Sequence, residues 1–308
     1  MQTVYIAHPD YVNELCHELT DVSSVVGNLV FSTVQKTTIC FALDVWLEPK
    51  IETIESISQA VKLLRQAGKY WVLNPVENIR RSRLIEAELR KSPPIPCEFP
   101  VTETLPAIGC FSLLDKNTLV YTARRWKQPP TGYYLFKEDK VNPPNRAYLK
   151  LWEALSLLGE YPTVGETAID LGASPGGWTY VMQTLGVQVT GVDKAPLDPS
   201  IAKLHGVSFM QQSAFALEPA SLSKPVDWLL CDVACYPERT YELVTRWIAS
   251  GQAKKFIFTI KLQGDTDFGI LEKFAEIPGA RIIHLFQNKH EVTFFYPATE
   301  LLSPHFNP

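Results

Sequence analysis

The sequence predicts an α/β chain in two parts: a small α+β domain over residues 1–135, then a mostly parallel, doubly wound sheet over residues 136–308 that closes in an antiparallel hairpin. Three observations predict it. From Arg146 onward, apolar runs of strand length alternate with helical segments, the pattern of parallel strands joined by helical crossovers. The last two runs, "ARIIHLFQ" and "EVTFFYP", are separated only by "NKH". A parallel pair needs a crossover of about a dozen residues, so these two must pair antiparallel. A chain of 308 residues also fits two domains of roughly 100–200 residues each.

Taken in order, residues 2–8 read as a strand and 9–20 as a helix. "GNLVFSTV" and "TTICFALDVWLE" read as two strands around a polar turn. "IETIESISQAVKLLRQAG" has apolar residues at helical spacing, and "NIRRSRLIEAELRK" reads as a further helix. "PAIGCFSLLDKNTLVYTARRW" reads as a hairpin turning at Asp115-Lys116-Asn117. In the second part "RAYLKLWEALSLLGEY" is a helix. "TAIDLGA", "VQVTGVD", "GVSFMQ", "VDWLLCDVA" and "KKFIFTIKL" are the strands ahead of the final pair.

Apolar residues make up 46% of the chain and charged residues 20%, as in an ordinary globular enzyme. No apolar run reaches the roughly 18 residues of a membrane span. The N-terminal stretch has no basic, apolar, small-residue sequence of a leader, so a cytoplasmic protein with no membrane partner is expected. The six cysteines form no CxxC pair, which points to reduced thiols and no metal site. Net charge is −4, unlike a protein that coats nucleic acid non-specifically. The charge is uneven, however: residues 76–150 hold thirteen Lys and Arg against eight Asp and Glu, which leaves −9 for the remainder. Such a basic strip can neutralise several phosphates, or be a solvated face.

The stretch "AIDLGASPGGWTYVMQTLGVQVTGVDKAPLD" carries the candidate binding site. In open parallel sheets, ligands sit beyond the carboxyl ends of the strands. There the chain places a turn with Gly172, Gly176 and Gly177, and Asp193 ends the next strand. An acid about twenty residues after such a turn accepts hydrogen bonds from ribose hydroxyls. The turn is neither GxGxxG nor GxxxxGK[ST], which removes the dinucleotide and P-loop readings. A Ser-Pro inside it suits a ligand with an amino-acid end, and S-adenosylmethionine is the expected cofactor.

"DLGASPGGWT" resembles the first motif of the FtsJ/RrmJ-type ribose 2′-O-methyltransferases, and the likeness covers roughly residues 140–297. The resemblance implies a Rossmann-like class I methyltransferase sheet and a Lys-Asp-Lys-Glu tetrad. The tetrad falls on Lys150 in "NRAYLKLWEAL", Asp232 in "VDWLLCDVACYP", Lys261 in "KKFIFTIKL" and Glu291 in "KHEVTFFYP". It further implies cofactor contacts from Asp170, Gly172, Ala173, Ser174, Pro175, Gly176, Gly177, Trp178, Thr179, Asp193 and Asp232. At the end of the third strand the family carries an acid for the adenine amino group; here Ser213 stands in its place, a hydroxyl acceptor without charge. "GASPGGWTY" and the spacing of the later motifs are similar to the branch that methylates a cytidine ribose in large-subunit ribosomal RNA. In that branch the N-terminal part holds a THUMP-type RNA-binding region, of which residues 1–135 would be a reduced version.

The chemistry gives these residue types their roles. A ribose hydroxyl is a weak nucleophile at neutral pH. Lys261 is expected to act as general base, its pKa lowered by burial and by Lys150, which orients the hydroxyl. Asp232 and Glu291 would position the two lysines. For RNA contact, Arg124, Arg125, Trp126 and Lys127 interleave cations with an aromatic, and Arg146 lies nearby in sequence. Arg80, Arg81, Arg83, Arg90 and Lys91 read either as a solvated helix face or as a second RNA contact. The leading function is an S-adenosylmethionine-dependent RNA 2′-O-methyltransferase. The alternatives are a non-catalytic RNA-binding or assembly protein that keeps the fold, and a small-molecule methyltransferase, which has no need of two lysines at those places.

Overall fold

The computed structural model describes residues 2–36, 38–90, 96–102, 106–127, 129 and 131–298. The chain folds into two compact units that divide between Phe136 and Lys137.

The first unit contains β1 (Thr3–Ala7), α1 (Val12–Glu18), β2 (Val22–Val26), β3 (Leu29–Ser32), β4 (Ala42–Leu47), β5 (Lys50–Thr53), α2 (Ile57–Ala67), β6 (Tyr70–Leu73), α3 (Ile79–Glu88), β7 (Ile108–Leu113), β8 (Thr118–Thr122) and β9 (Arg124–Arg125). They build two sheets, β2-β3-β1-β4-β9 and β5-β8-β7-β6. Val4, Ile6, Phe31 and Trp46 of the first sheet pack against Val72, Ile108, Cys110 and Val120 of the second. The other face of the smaller sheet is covered by α2 and α3 through Val61, Leu64, Ile85 and Leu89. The unit is thus three layers deep, with apolar residues buried at both interfaces.

The segment with helical spacing splits in two. Residues 50–53 form the fully exposed edge strand β5, and the helix begins only at Ile57, where the Ser56 hydroxyl accepts the Gln59 N–H at 3.1 Å. The β-branched Ile51 and Thr53 suit the edge strand, and Ser56 is a preferred N-cap residue. The hairpin turns at Asp115, whose carboxylate accepts the N–H groups of Asn117 (2.7 Å) and Thr118 (2.9 Å). Its second arm ends at Thr122; Arg124 and Arg125 then cross to the other sheet and pair with β4.

The second unit contains α4 (Tyr148–Leu158), β10 (Thr167–Leu171), α5 (Gly177–Thr184), β11 (Gln188–Asp193), α6 (Pro199–Ala202), β12 (Val207–Gln211), β13 (Val226–Cys231), α7 (Pro237–Ser250), β14 (Ala253–Lys261), α8 (Phe268–Ala275), β15 (Arg281–Ile283) and β16 (Glu291–Tyr296). Its seven strands lie in the order β12-β11-β10-β13-β14-β16-β15. The first five run parallel, and β16 is antiparallel to both β14 and β15. This is a Rossmann-like, doubly wound sheet with an antiparallel pair at one edge. β15 is shorter than its apolar run suggests: it stops at Ile283, and a longer connection leads to Glu291. No helix among the described residues is long and apolar enough to cross a membrane.

Candidate active site

The sheet order reverses between β10 and β13, and ligands of open α/β sheets bind at the carboxyl ends beside such a point. The glycine turn leaves β10 there, and Asp232 follows β13. The Gly172 N–H donates to Val192 O at 2.8 Å, which closes the turn onto β11. Gly172 (φ +76°) and Gly176 (φ +118°) have left-handed backbones that favour glycine. A Cβ at Gly172 would collide with Val233, and one at Gly177 with Asn145 Oδ1. Close packing within the protein is therefore one reason for glycine at these positions.

The Asp193 carboxylate is fixed by two backbone donors, Ser174 N–H (3.0 Å) and Ala195 N–H (2.9 Å). It lines an open cleft together with Gly172, Ser213, Phe215, Val233 and Arg239. The cleft runs from a carboxylate with spare lone pairs, past a hydroxyl at Ser213, to the backbone next to Asp232. An adenosine end fits this lining, with ribose hydroxyls on Asp193. S-Adenosylmethionine would be held by Asp193, Ser213 and the glycine turn.

The side chains of Asp170, Trp178 and Thr179 are turned inward instead. Thr179 is buried and donates its hydroxyl to Asp170 at 2.7 Å. Burial pushes the Asp170 carboxyl up to about 7, against the lowering effect of that bond. The Trp178 indole N–H donates to Ala147 O at 2.9 Å and ties α5 to the start of α4. The side chains of Trp178 and Thr179 brace the turn from behind. Ala173, Ser174 and Pro175 form the turn itself. The Ser174 hydroxyl donates to Pro196 O at 2.9 Å.

Lys150, Asp232, Lys261 and Glu291 converge in one cluster. Lys150 Nζ lies 2.7 and 2.6 Å from the two Asp232 oxygens and 3.1 Å from Glu291 Oε1. Lys261 Nζ lies 2.5 Å from Asp232 Oδ1 and also contacts Glu291 Oε2. Two cations thus alternate with two carboxylates, an arrangement of zero formal charge. The Lys150 and Glu291 side chains are 11% and 8% exposed, Lys261 and Asp232 21% and 16%, so the rim toward solvent is formed by the latter two.

Burial opposes ionisation of Asp232, but the two ammonium groups outweigh it and hold its pKa below the usual carboxylate value. For Lys261 the balance overturns an expectation. Burial lowers its pKa, yet the carboxylates of Asp232 and Glu291 outweigh burial and raise it above the ordinary lysine value. Repulsion from Lys150 does not win, because each lysine faces two carboxylates at ion-pair distance and only one cation.

Three supporting groups escaped the sequence reading. Thr259, two residues before Lys261 on the same face of β14, donates its hydroxyl to Asp232 Oδ1 at 2.7 Å. Glu153, one turn after Lys150 on α4 and only 1% exposed, accepts the N–H groups of Phe286 (3.2 Å) and Gln287 (2.9 Å). It pins the β15–β16 connection that delivers Glu291. Asn288, also buried, donates to Glu291 O at 3.0 Å. The i, i+2 period of a strand and the i, i+3 period of a helix were the available signals for Thr259 and Glu153.

The strip expected to meet RNA is largely spoken for. Arg125 is 3% exposed and donates to Asp44 (2.6 Å), Ile108 O (3.2 Å) and Pro129 O (2.7 Å). It is a structural ion pair, and the RNA-contact expectation for it is corrected. Lys127 Nζ donates to Ala42 O at 3.2 Å, and the Trp126 N–H donates to Val45 O at 2.9 Å. Arg124 is exposed and paired with Glu48; Arg146 is exposed and paired with Glu138 at 2.8 Å. Lys91 lies outside the described residues.

Residues 143–266 match the family model described as FtsJ-like methyltransferase. This segment of the second unit is thus similar to FtsJ-like methyltransferases. Lys150, Asp232 and Lys261 lie inside the matched segment, and Glu291 lies beyond it. Among curated relatives, the ribosomal RNA large subunit methyltransferase M of Halorhodospira halophila is 43% identical over 124 residues, 39% of this chain and 36% of that protein. The protein of the same name from Thauera aminoaromatica is 34% identical over 170 residues, 50% of this chain and 46% of its own. That from Laribacter hongkongensis is 40% identical over 145 residues, 45% and 40% of the two chains. The chain spans less than half the length of these relatives.

Proposed function

We propose that this chain is an S-adenosylmethionine-dependent RNA ribose 2′-O-methyltransferase acting on large-subunit ribosomal RNA. The observation that carries the reading is the Lys150–Asp232–Lys261–Glu291 cluster, whose Asp232 directly precedes Val233 in the lining of the Asp193 cleft. The likeness to large-subunit ribosomal RNA methyltransferases supports the choice of RNA.

Bound in the cleft, S-adenosylmethionine supplies an electrophilic methyl group on a positively charged sulfur. The protein's work is to hold a ribose hydroxyl in line and to receive its proton. Lys150, the more enclosed cation, donates to the hydroxyl oxygen and fixes its direction. Lys261, nearer the rim, takes the hydroxyl proton. In the substrate-free site Lys261 is held charged, so it must first release a proton to solvent, which it meets at the rim. A positive charge brought beside Asp232 competes with Lys261 for that carboxylate and lowers the lysine's pKa. Lys261 thus becomes a base only in the loaded site. Asp232 and Glu291 keep both amines in place, and positioning of this kind contributes on the order of 7–11 kcal/mol in favourable cases.

The test is methyl transfer by the purified full chain to large-subunit ribosomal RNA, followed by digestion and mass analysis of the nucleosides. A 2′-O-methylnucleoside is the expected product. A base-methylated nucleoside, or no product from protein that binds the cofactor, would contradict the reading.

A further inference from the structure

The first unit bears a cationic surface that the site above does not use. Residues 57–90 hold seven Lys and Arg against three Glu, a balance of +4 in a chain of net −4. On the outer side of α2 and α3, Lys62, Arg65, Lys69, Arg80, Arg83 and Arg90 are exposed. Arg65 Nη2 donates to Glu88 O at 2.6 Å, which joins the last turns of the two helices. Two residues beyond Glu88, Arg90 places its guanidinium 5.1 Å from the centre of the Tyr70 ring, and Lys69 places its ammonium 5.3 Å from the same ring. Lys62 and Arg65 line an open groove beside them, with Ser58, Gln66 and one carboxylate, Glu88. These contacts make Lys62, Arg65, Arg90, Tyr70 and Lys69 one continuous patch.

Among the described residues, no carboxylate lies within ion-pair distance of Lys62, Lys69 or Arg90. Two like charges therefore share one aromatic ring without a counter-charge. That juxtaposition is unfavourable alone and is relieved by an anion. The ring also restrains two long side chains, which reduces the ordering cost when they meet a ligand. The helix ends add no anion-binding N–H groups here, because both α2 and α3 end at this patch, so the cations themselves must supply the attraction.

Resting on the RNA reading above, we propose that the α2–α3 face at Lys62, Lys69, Tyr70 and Arg90 is the surface that binds the RNA backbone, as a single strand. Separated cations around a groove with one aromatic suit a single strand that tracks its phosphates past a ring. The 124–127 strip is a poorer candidate, since Arg125 is spent on Asp44 and Arg124 on Glu48.

The experiment is fluorescence anisotropy of a labelled single-stranded RNA of mixed sequence with the full chain, without cofactor, over a range of salt. The variants are the triple Lys62→Ala, Lys69→Ala, Arg90→Ala and, as a mild second case, Lys69→Glu alone. Thermal unfolding checks that each is folded. For single strands the logarithmic salt slope changes by about 0.7 per phosphate contact, so the triple variant is expected to lose roughly two units of slope. Lys69→Glu should also flatten the slope, and Arg124→Ala should leave it unchanged. Wild-type slope and affinity in both patch variants would overturn the proposal. Binding of S-adenosylmethionine to the same samples, by calorimetry, reports separately on the methyltransferase reading: its absence in the wild type would sink that reading, while the RNA slopes alone decide the patch.

Discussion

Lys261 and Glu291 are cross-strand partners: they face each other at the ends of antiparallel β14 and β16, and the ammonium of one rests on the carboxylate of the other. The ladder thus brings together residues thirty positions apart, and the same ammonium reaches Asp232 from the next strand. Lys261→Met keeps the length and removes the amine. Methyl transfer should fall by about 10²–10⁴-fold, the usual range for a lost acid–base group. S-Adenosylmethionine affinity, measured by calorimetry, should not fall, because the variant removes a cation that competes for Asp232.

The pH dependence of that reaction follows from the raised pKa of Lys261. A base that is charged at neutral pH is available only in proportion to its deprotonated fraction. The single-turnover rate should therefore rise with pH, about tenfold per unit, until the loaded site's own pKa is passed. Lys261→Arg should keep the ion pairs and lose the rise, because a guanidinium does not deprotonate in this range. A flat profile for the wild type would remove Lys261 as the proton acceptor.

Asp170 gives a stability prediction of the opposite kind. Its folded-state pKa of about 7 lies above the value near 3.9 of an unfolded chain. A raised carboxyl contributes stability that is full below the unfolded value and is lost as pH rises through the folded one. Asp170→Asn, which is neutral throughout and can still accept from Thr179, should unfold at a higher temperature than wild type at pH 8. The advantage should shrink steadily as pH is lowered toward 4. An advantage independent of pH would contradict the burial argument.

Glu153 and Thr259 should behave as positioning residues. Thr259→Val removes a hydrogen bond to a charged carboxylate, worth about 1.5–3 kcal/mol, and should lower methyl transfer by roughly ten- to a hundredfold. Glu153→Gln weakens the hold on the Phe286–Gln287 backbone and should lower kcat through Glu291. Neither should move cofactor affinity. A change confined to affinity, in either variant, would place these groups in the cofactor site instead.

The sequence made the site residues legible where motif and element coincided. Lys150, Asp232, Lys261 and Glu291 each stand at a strand or helix position that a parallel sheet brings to one edge. What it hid depended on facing and exposure. Arg124 and Arg125 look alike in the chain, yet one residue's step along β9 turns Arg125 inward onto Asp44 and leaves Arg124 outside. The glycines of the turn look like room for a ligand, and their neighbours prove to be Val233 and Asn145. Burial and cationic repulsion both argued for a neutral Lys261; only the count of carboxylates around it reverses the sign. The first unit was harder because β2 and β5 are short and expose much of their length, so their apolar pattern is weak.

The most direct test of the central claim is a map of ribose methylation in large-subunit ribosomal RNA from cells that have the protein, lack it, or carry only the Lys261→Met variant. One 2′-O-methyl mark is expected in the first and in neither of the other two. An identical set of marks in all three would contradict it.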